Sequence, residues 1–476
     1  MEYKRPQPAS PDKTQPRLII HGGAGNITPA NLTSDSYAEF RTALLTIISK
    51  SHHYMTTPTP TSPTPTSLSP QTVTLPTALA TATHALTLLE DNPLFNAGHG
   101  AVFTRDGLNE LEASVMVSRG YAKRAAGVSG LRRVRNPILL AREVLERGEG
   151  DLWPRAAFAE DGGEGGGLDV PSAQGHRHIH GAAAEALAEA YGLELVEPEY
   201  FWTARRWNEH VRGLEREKAA GGKGMCGWSE EEYVPLGTVG AVAVDEDAVV
   251  CVATSTGGLT NKLTGRIGDT PTIGAGFWAE EWVDGDGTAR EQGGLMRSGP
   301  AVVLSGAMKG WFADCFPTPW AYSPLVATRG ELVTTRSVAV SGTGNGDSFL
   351  RTGAARTVGA LARFAGHSSA SAVARVIGPD GEVQKSAEDR WGKTGEGEGG
   401  MIGIETVVVR DAEGNVVETK SELLQDFNCG GMFRAWVDDR GIAYARVFRE
   451  EEERRLPRSY VGDMKLDELI SPSYKD

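Results

Sequence analysis

The sequence predicts an α+β fold in which β-sheets pack between α-helices. Short runs of alternating or β-branched apolar residues, bounded by glycine turns, indicate buried strands. These runs lie at 17–21, 238–244, 249–253, 338–340 and 406–409. Helical patterns separate them, at 37–49, 76–90, 136–147, 180–191 and from 347 to about 365. No internal repeat is evident, and 476 residues suffice for one large domain or for two to three average ones, built from layers of sheet and helix.

The bulk composition argues against several classes of function. The chain has 476 residues and a formal net charge of −14, which disfavours sequence-independent binding to nucleic acid. Its four cysteines are scattered without a CxxC pair, so we expect neither a disulfide framework nor a zinc site. The N-terminus is polar and Pro-rich, and no apolar run approaches the roughly 20 residues of a membrane helix. We therefore expect a cytoplasmic protein without a membrane partner.

Four segments are predicted to be disordered inserts. One is rich in Thr, Pro and Ser, and the others are rich in Gly and charged residues, so each offers few apolar side chains to a core. The four segments are 54–74, 158–176, 211–235 and 380–400.

The sharpest change in the sequence comes at Gly237-Thr238, where a polar segment gives way to an apolar hairpin. A threonine hydroxyl is a weak nucleophile until a base takes its proton. If the chain is cut before Thr238, the new α-amine has a pKa of roughly 7.7–8.0 and can be that base. Gly237 tolerates the strained backbone of an N-to-O acyl shift. The alternative is an ordinary threonine that opens a strand.

Arg266 and Asp269 lie three residues apart in a loop bounded by glycines. A guanidinium binds a carboxylate through two hydrogen bonds, and a carboxylate binds an ammonium. Together they could hold the two charged groups of an α-amino acid. The alternative is a surface i,i+3 ion pair.

A glycine turn, Gly342-Thr343-Gly344, follows the strand at 338–340. The Thr343 hydroxyl and the Gly344 N–H could stabilise the oxyanion of a tetrahedral intermediate. Strand, turn and helix also imitate a dinucleotide fingerprint, but the third glycine is replaced by Asp347, which would repel a pyrophosphate. Nucleotide binding is therefore disfavoured, and Asp347 or Ser348 is predicted to cap the following helix.

Three histidines, His176, His178 and His180, alternate along a predicted extended segment. Zinc binding is conceivable there. An extended trio converges poorly on one ion, however, and a solvated strand is favoured.

The segment 237–276 resembles the plant-type asparaginase and isoaspartyl peptidase family of N-terminal-nucleophile hydrolases. Further segments resemble that family in the same order along the chain. They are His21–Gly25 (HGGAG), Phe95–Gly98 (FNAG), Arg135–Pro137 (RNP), the turn at Thr343-Gly344, and Phe427–Met432 (FN..GM).

The resemblance implies a single domain, 1–476, folded as a four-layer αββα sandwich that cuts itself into chains 1–237 and 238–476. It implies a homodimer of cut protomers and no catalytic cofactor. Thr238 is then the nucleophile, Thr256 hydrogen-bonds near it, and Asn96 supports the oxyanion site beside Thr343 and Gly344. Arg266 and Asp269, with Thr343 and Gly344, bind substrate, and the glycine loop at 21–23 controls maturation.

The resemblance also implies a structural sodium ion held by backbone carbonyls, for which a plain loop is the alternative. The matching residues are Leu89, Glu90, Asn92, Phe95, Ala97 and His99. The sequence departs from the family at Glu112, where an aspartate is usual, and between Trp278 and Val338, a stretch that is usually much shorter.

These features predict hydrolysis of L-asparagine or β-aspartyl peptides, with a small molecule or short peptide as substrate. A taspase-like endopeptidase is one alternative, because Phe277–Glu280 is loosely similar to that branch. Asp269 argues against it, since the inside of a polypeptide offers no free α-amine. Glycosylasparaginase is disfavoured because no secretion signal or disulfide framework is evident. A non-catalytic binding protein is disfavoured because Thr238, Arg266 and Thr343 are all retained.

Overall fold

The fold is described by a computed structural model that covers residues 13–60, 73–119, 124–151, 172–221, 237–284, 332–454 and 464–466. The strands are β1 (Arg17–Gly25), β2 (Thr59–Pro60), β3 (Val73–Thr74), β4 (Leu111–Val117), β5 (Arg124–Leu131), β6 (His178–His180), β7 (Val239–Val244), β8 (Val250–Thr256), β9 (Phe277–Val283), β10 (Val333–Gly344), β11 (Gly399–Arg410), β12 (Val416–Phe427), β13 (Gly431–Val437), β14 (Ile442–Arg446) and β15 (Met464–Lys465). The α-helices are α1 (Ser34–Thr56), α2 (Ala78–Glu90), α3 (Pro137–Asp151), α4 (Gly181–Ala190), α5 (Ala204–Ala219), α6 (Gly346–Thr352), α7 (Ala354–Phe364), α8 (Ser369–Ile377), α9 (Glu382–Lys385) and α10 (Glu450–Glu453).

Two main sheets carry the fold. The larger has the strand order β15-β14-β13-β1-β7-β8-β4-β5-β6, and the smaller has the order β12-β11-β10-β9. Neighbouring strands are antiparallel except for β5 and β6, which are parallel. The predicted α+β fold is confirmed.

The larger sheet is covered on both faces. Helices α1, α2 and α3 contact it, and strands β9, β10 and β11 of the smaller sheet contact it as well. Helices α7 and α8 contact the smaller sheet. None of the helices in the described ranges is long and apolar enough to cross a membrane.

Period-two alternation divides the core into two clusters. Leu18 and Ile20 pack with the side chains of α1 and α2, whereas Ile19 packs with the side chains of the smaller sheet. In the same way Ala241 joins the first cluster and Val242 joins the second. Every residue of β7 and β8 is therefore buried, as the apolar hairpin predicted.

The helix after β10 differs from the prediction in two ways. Its N-terminal cap is Asn345, whose side chain accepts a hydrogen bond from Ser348 N, and not Asp347 or Ser348. The predicted single helix is divided into α6 and α7 at Gly353, which has a left-handed φ of 53°. A left-handed residue cannot continue a helix, so it ends one and begins the next.

The disorder predicted at 211–235 is wrong over 211–219, because α5 extends to Ala219. The helix is held by a tertiary contact, since the Arg206 side chain is only 1% exposed and donates to the backbone carbonyls of Leu94 and Gly100, each at 2.7 Å. The disorder prediction used only the amino-acid composition of the segment, which carries no information about contacts with distant residues. Residues 222–235 lie outside the described residues.

The other three predicted inserts contain ordered residues. Segment 380–400 contains α9 and a 3₁₀ turn, because Val383 and Ala387 are buried and anchor it. In segment 54–74, α1 continues to Thr56 and β2 pairs with β3, whereas 61–72 lies outside the described residues. In segment 158–176, residues 158–171 lie outside them and 172–176 form a turn.

Candidate active site

The predicted nucleophile, Thr238, is buried at the start of β7. Its hydroxyl oxygen lies 2.8 Å from the hydroxyl oxygen of Thr270. Thr256, which was predicted to hydrogen-bond near the nucleophile, follows Ser255, the partner of Val239 in the strand pairing, and accepts a hydrogen bond from Gly258 N at 2.9 Å. Its hydrogen bond near the nucleophile stays a prediction. Thr270, whose hydroxyl contacts that of Thr238, is a residue that sequence reasoning missed. Its position directly after Asp269 was the available signal.

Two further hydroxyls hold Thr270 in place. The Ser114 hydroxyl donates to the Thr270 carbonyl at 2.6 Å, and the Thr254 hydroxyl donates to it at 3.4 Å. Ser114 and Thr254 lie opposite each other on β4 and β8, with their hydroxyl oxygens 2.6 Å apart. Thr254 therefore helps to position the residue whose hydroxyl contacts Thr238.

Gly237 lies against the glycine loop that ends β1. A Cβ atom at Gly237 would lie 2.3 Å from the Gly23 Cα atom and 2.9 Å from Ala24 N. Gly23 itself has a φ of +120°. No side chain fits at residue 237, so the close approach of the two backbones requires glycine there. This steric reason for glycine is separate from its tolerance of the strained backbone of an acyl shift.

Asp269 is buried, and its Oδ2 atom has no hydrogen-bond partner within the described ranges. Burial raises the pKa of its carboxyl to about 7, although the nearby Arg266 guanidinium lowers it. Buried polar atoms are rarely left without a partner, so this oxygen is a candidate to meet a ligand.

Arg266 does not form the i,i+3 ion pair that was the alternative interpretation. Its Nη2 atom pairs with Asp347 Oδ1 at 3.1 Å. Asp347, whose charge argues against pyrophosphate binding, therefore orients the Arg266 guanidinium. A Cβ at Gly346 would lie 2.3 Å from Asp269 Oδ1 and 3.1 Å from Arg266 Nη2. The absence of a side chain at Gly346 therefore brings the start of α6 against both predicted substrate-binding residues.

Thr343 and Gly344 end β10, opposite Gly400 and Gly399 of β11. The Thr343 hydroxyl is buried and has no hydrogen-bond partner in the described part of the chain. Gly344 has a φ of +140°, and a Cβ there would lie 2.3 Å from the Glu398 carbonyl oxygen. The turn predicted at 342–344 is therefore wrong, because these residues pair with β11 as the end of β10, and the Thr343 hydroxyl lies just before α6.

Asn96 supports the turn that follows β8. Its side-chain amide donates to the Gly258 carbonyl at 2.8 Å, and its side-chain carbonyl accepts from Val102 N at 3.0 Å. Its backbone carbonyl accepts from Gly257 N at 3.0 Å. Both ends of the side chain are therefore engaged in holding this turn, and a direct oxyanion role stays a prediction.

The predicted sodium loop follows α2. A Cβ at Gly98 would lie 2.4 Å from the Glu90 carbonyl oxygen, and one at Gly100 would lie 2.1 Å from the Phe95 carbonyl oxygen. Carbonyl oxygens therefore crowd around this turn, and such donors fit a hard cation. Among the described residues no cluster of three His, Cys, Asp or Glu side chains could hold a metal.

A cation missed by sequence reasoning already binds the same loop. The buried Arg206 guanidinium of α5 donates to the carbonyls of Leu94 and Gly100, each at 2.7 Å. Neither carbonyl belongs to the predicted sodium ligands. Helix α5 is therefore anchored to the loop that carries Asn96.

Two of the three alternating histidines contact one serine. His178 Nε2 and His180 Nδ1 lie 2.8 and 3.0 Å from the Ser129 hydroxyl oxygen. All three histidines are exposed, in keeping with the favoured solvated strand.

Two buried side chains, His21 and Glu112, hold the backbone segments around the site in place. His21 Nε2 lies 2.7 Å from the Ser341 hydroxyl and joins β1 to β10, and burial lowers the pKa of His21 to about 3, so its ring is neutral. Glu112, which replaces the usual aspartate, accepts from Gly268 N at 3.0 Å. It thereby fixes the loop between Arg266 and Asp269.

Several known enzymes have sequences similar to this chain. The profile of the family described as asparaginase matches residues 72–153 and 169–289. The chain is 32% identical to an isoaspartyl peptidase of Escherichia coli strain K12, over 91% of this chain and 96% of that relative. It is 29% identical to an isoaspartyl peptidase/L-asparaginase of Xenopus laevis, over 60% of this chain and 72% of that relative. It is 32% identical to a plant-type L-asparaginase of Pyrococcus furiosus, over 56% of this chain and 70% of that relative.

Proposed function

The chain belongs to the asparaginase family of amide hydrolases, and from this premise we propose that it hydrolyses L-asparagine and β-aspartyl peptides to release aspartate. The observation that carries the proposal is that Asp269 is buried near Arg266 and that its Oδ2 atom has no hydrogen-bond partner among the described residues. A carboxylate and a guanidinium on neighbouring turns match the ammonium and carboxylate of a free α-amino acid end. The inside of a polypeptide has no such end, so an endopeptidase would gain nothing from Asp269.

We infer that the chain first cuts itself. The Thr238 hydroxyl oxygen bonds to the carbonyl carbon of Gly237, the peptide C–N bond breaks, and the nitrogen takes the hydroxyl proton. Water then hydrolyses the ester, which leaves a carboxylate on Gly237 and a free amine and hydroxyl on Thr238. The burial of Thr238 and the backbone contact between Gly237 and Gly23 support this step.

Turnover would use the same hydroxyl. The free Thr238 amine accepts the hydroxyl proton as the oxygen attacks the substrate amide carbon. Thr343 and Gly344 donate hydrogen bonds to the oxyanion, and Asn96 holds the neighbouring turn. The leaving amine or ammonia departs with the proton, and water hydrolyses the acyl-enzyme to aspartate. Arg266 binds the substrate carboxylate and Asp269 its ammonium, with Thr256 supporting the turn at Gly258.

Five finer proposals follow from family membership. The contacts among α1–α3, the two sheets and α7–α8 support a four-layer αββα sandwich forming a single domain. We also propose a homodimer of cut protomers and a cytoplasmic location. A sodium ion would be structural, held by the loop carbonyls between Leu89 and His99, and no cofactor would act in catalysis.

Three proteins test the proposal: wild type, Thr238→Ala and Thr238→Ser. Wild type should separate on a denaturing gel into two fragments that begin at Met1 and Thr238, and it should release aspartate from asparagine and from a β-aspartyl dipeptide. Thr238→Ser retains a hydroxyl and should cut more slowly. Thr238→Ala should stay whole and inactive. Aspartate release by Thr238→Ala, or activity of wild type with residue 238 still joined to Gly237, would refute the mechanism.

A further inference from the structure

We propose that Thr270 is a catalytic residue, whose hydroxyl orients the Thr238 hydroxyl for both self-cleavage and amide hydrolysis. The inference rests on the proposed function and extends it to a residue that neither the sequence motifs nor the relatives single out. The two hydroxyl oxygens lie 2.8 Å apart, and the residues are 1% and 4% exposed.

Each hydroxyl has one proton and two lone pairs, so the direction of this hydrogen bond can reverse. When the Thr270 oxygen accepts a hydrogen bond from the Thr238 O–H, the lone pairs of the Thr238 oxygen face away from Thr270. When the Thr238 proton has moved to the amine, the Thr270 O–H can turn and donate to the charged oxygen. One hydroxyl thus serves the resting and the reacting states without moving any heavy atom.

The backbone of Thr270 is fixed from two strands, so its hydroxyl is held in place. Ser114 and Thr254 donate to its carbonyl from β4 and β8. On the other side, a Cβ at Gly127 of β5 would lie 2.6 Å from the Pro271 carbonyl oxygen, which shows how closely that strand approaches. A threonine side chain also has few rotamers, because it is branched at Cβ.

Thr270 follows Asp269 directly, and this turn is closed by its own hydrogen bonds. The Asp269 carbonyl accepts from Thr272 N at 3.0 Å and from Gly276 N at 3.2 Å. One rigid turn therefore carries the group proposed to bind the substrate ammonium and the group that contacts the nucleophile. Fixing the first relative to the second fixes the substrate amide relative to the Thr238 oxygen.

The test compares Thr270→Val, which keeps the shape and loses the hydroxyl, with Thr270→Ser, which keeps the hydroxyl. A hydrogen bond between neutral groups is worth about a factor of ten in rate. Thr270→Val should slow self-cleavage at least about tenfold, and its fully cut form should lose about tenfold in kcat with KM unchanged, because Arg266 and Asp269 still hold the substrate. Thr270→Ser should recover most of both rates.

The matched control is Thr83→Val, since Thr83 is also 1% exposed and its hydroxyl donates to the Leu79 carbonyl in α2. It should lower the melting temperature without changing either rate. If Thr270→Val is insoluble, Thr270→Cys replaces it, because a thiol fills similar space but is a poor hydrogen-bond partner.

Wild-type cleavage and turnover by Thr270→Val would overturn the inference and leave the proposed function standing. A parallel rise in KM and fall in melting temperature at constant kcat would also overturn it, because that is the signature of a merely structural role. If wild type itself released no aspartate, the proposed function would fail, whereas the effect of Thr270→Val on self-cleavage would still be measurable.

Discussion

Replacing Asp269 by asparagine should stabilise the uncut protein in a manner that depends on pH. The comparison is best made in the Thr238→Ala background, which keeps the chain whole. Burial raises the pKa of Asp269 from 3.8 to about 7 in the folded protein. That difference of about 3 units corresponds to about 4 kcal/mol of unfolding free energy, at about 1.4 kcal/mol per unit.

The sign follows from where the proton is held. Below about pH 4 the carboxyl is protonated in both the folded and the unfolded chain, so its full contribution to stability is present. Between about pH 4 and pH 7 the unfolded chain ionises while the folded chain keeps its proton, so stability is lost as pH rises. Asparagine does not titrate, so the stability advantage of Asp269→Asn should grow by about 1.4 kcal/mol per pH unit and level off above about pH 7.

Urea denaturation across this pH range measures the difference, with equal m-values as the check that both proteins unfold alike. Asp411→Asn is a control of opposite sign, because a hydrogen bond from Asn415 lowers the pKa of Asp411. There the parent protein should gain stability relative to the variant as pH rises through the ordinary aspartate range. A pH-independent difference for Asp269→Asn would refute the argument that burial keeps this carboxyl protonated in the folded chain up to about pH 7.

Three further outcomes are expected. The KM for asparagine should fall as pH rises from about 6 to about 8, because the substrate ammonium binds the ionised form of Asp269, and steady-state kinetics with a constant KM would contradict this. Arg206→Met should lower the unfolding free energy by about 3 kcal/mol, whereas Arg205→Met, at a more exposed neighbour, should change it by less than about 1 kcal/mol. Equal effects of the two substitutions in urea denaturation would refute the role of Arg206 in anchoring α5 to the loop. Glu112→Ala should raise KM about fivefold because Gly268 N loses its acceptor, and Glu112→Gln, which keeps one, should not.

Strands β1, β7, β8 and parts of β10 and β11 were predictable because their signal is local. In the hairpin of β7 and β8, consecutive small and β-branched residues predict burial on both faces, and the two core clusters account for it. The cap at Asn345 was missed because several polar residues at a helix start satisfy the same sequence rule. Helix α5 was missed because its stability depends on Arg206 meeting carbonyls more than 100 positions away in the chain.

The candidate site shows the same division. Motifs located Asp269 and Thr343, and one buried side-chain oxygen of each has no hydrogen-bond partner within the ranges that the structure describes. Thr256 and Thr270 are both hydroxyl residues near a glycine turn, and sequence spacing cannot tell which of them contacts Thr238. The answer depends on the path of the chain between β8 and β9, which is set by tertiary contacts.

The strand order of the larger sheet determines whether the two polypeptides would stay associated after the chain is cut. Strand β1 belongs to the part before Gly237 and lies between β13 and β7, both of which belong to the part after it. Strand β4 is likewise paired with β8. The two polypeptides would therefore be interleaved, and neither could dissociate without breaking the hydrogen bonds along both edges of β1. Dilution should leave them together, and only denaturant should release one from the other.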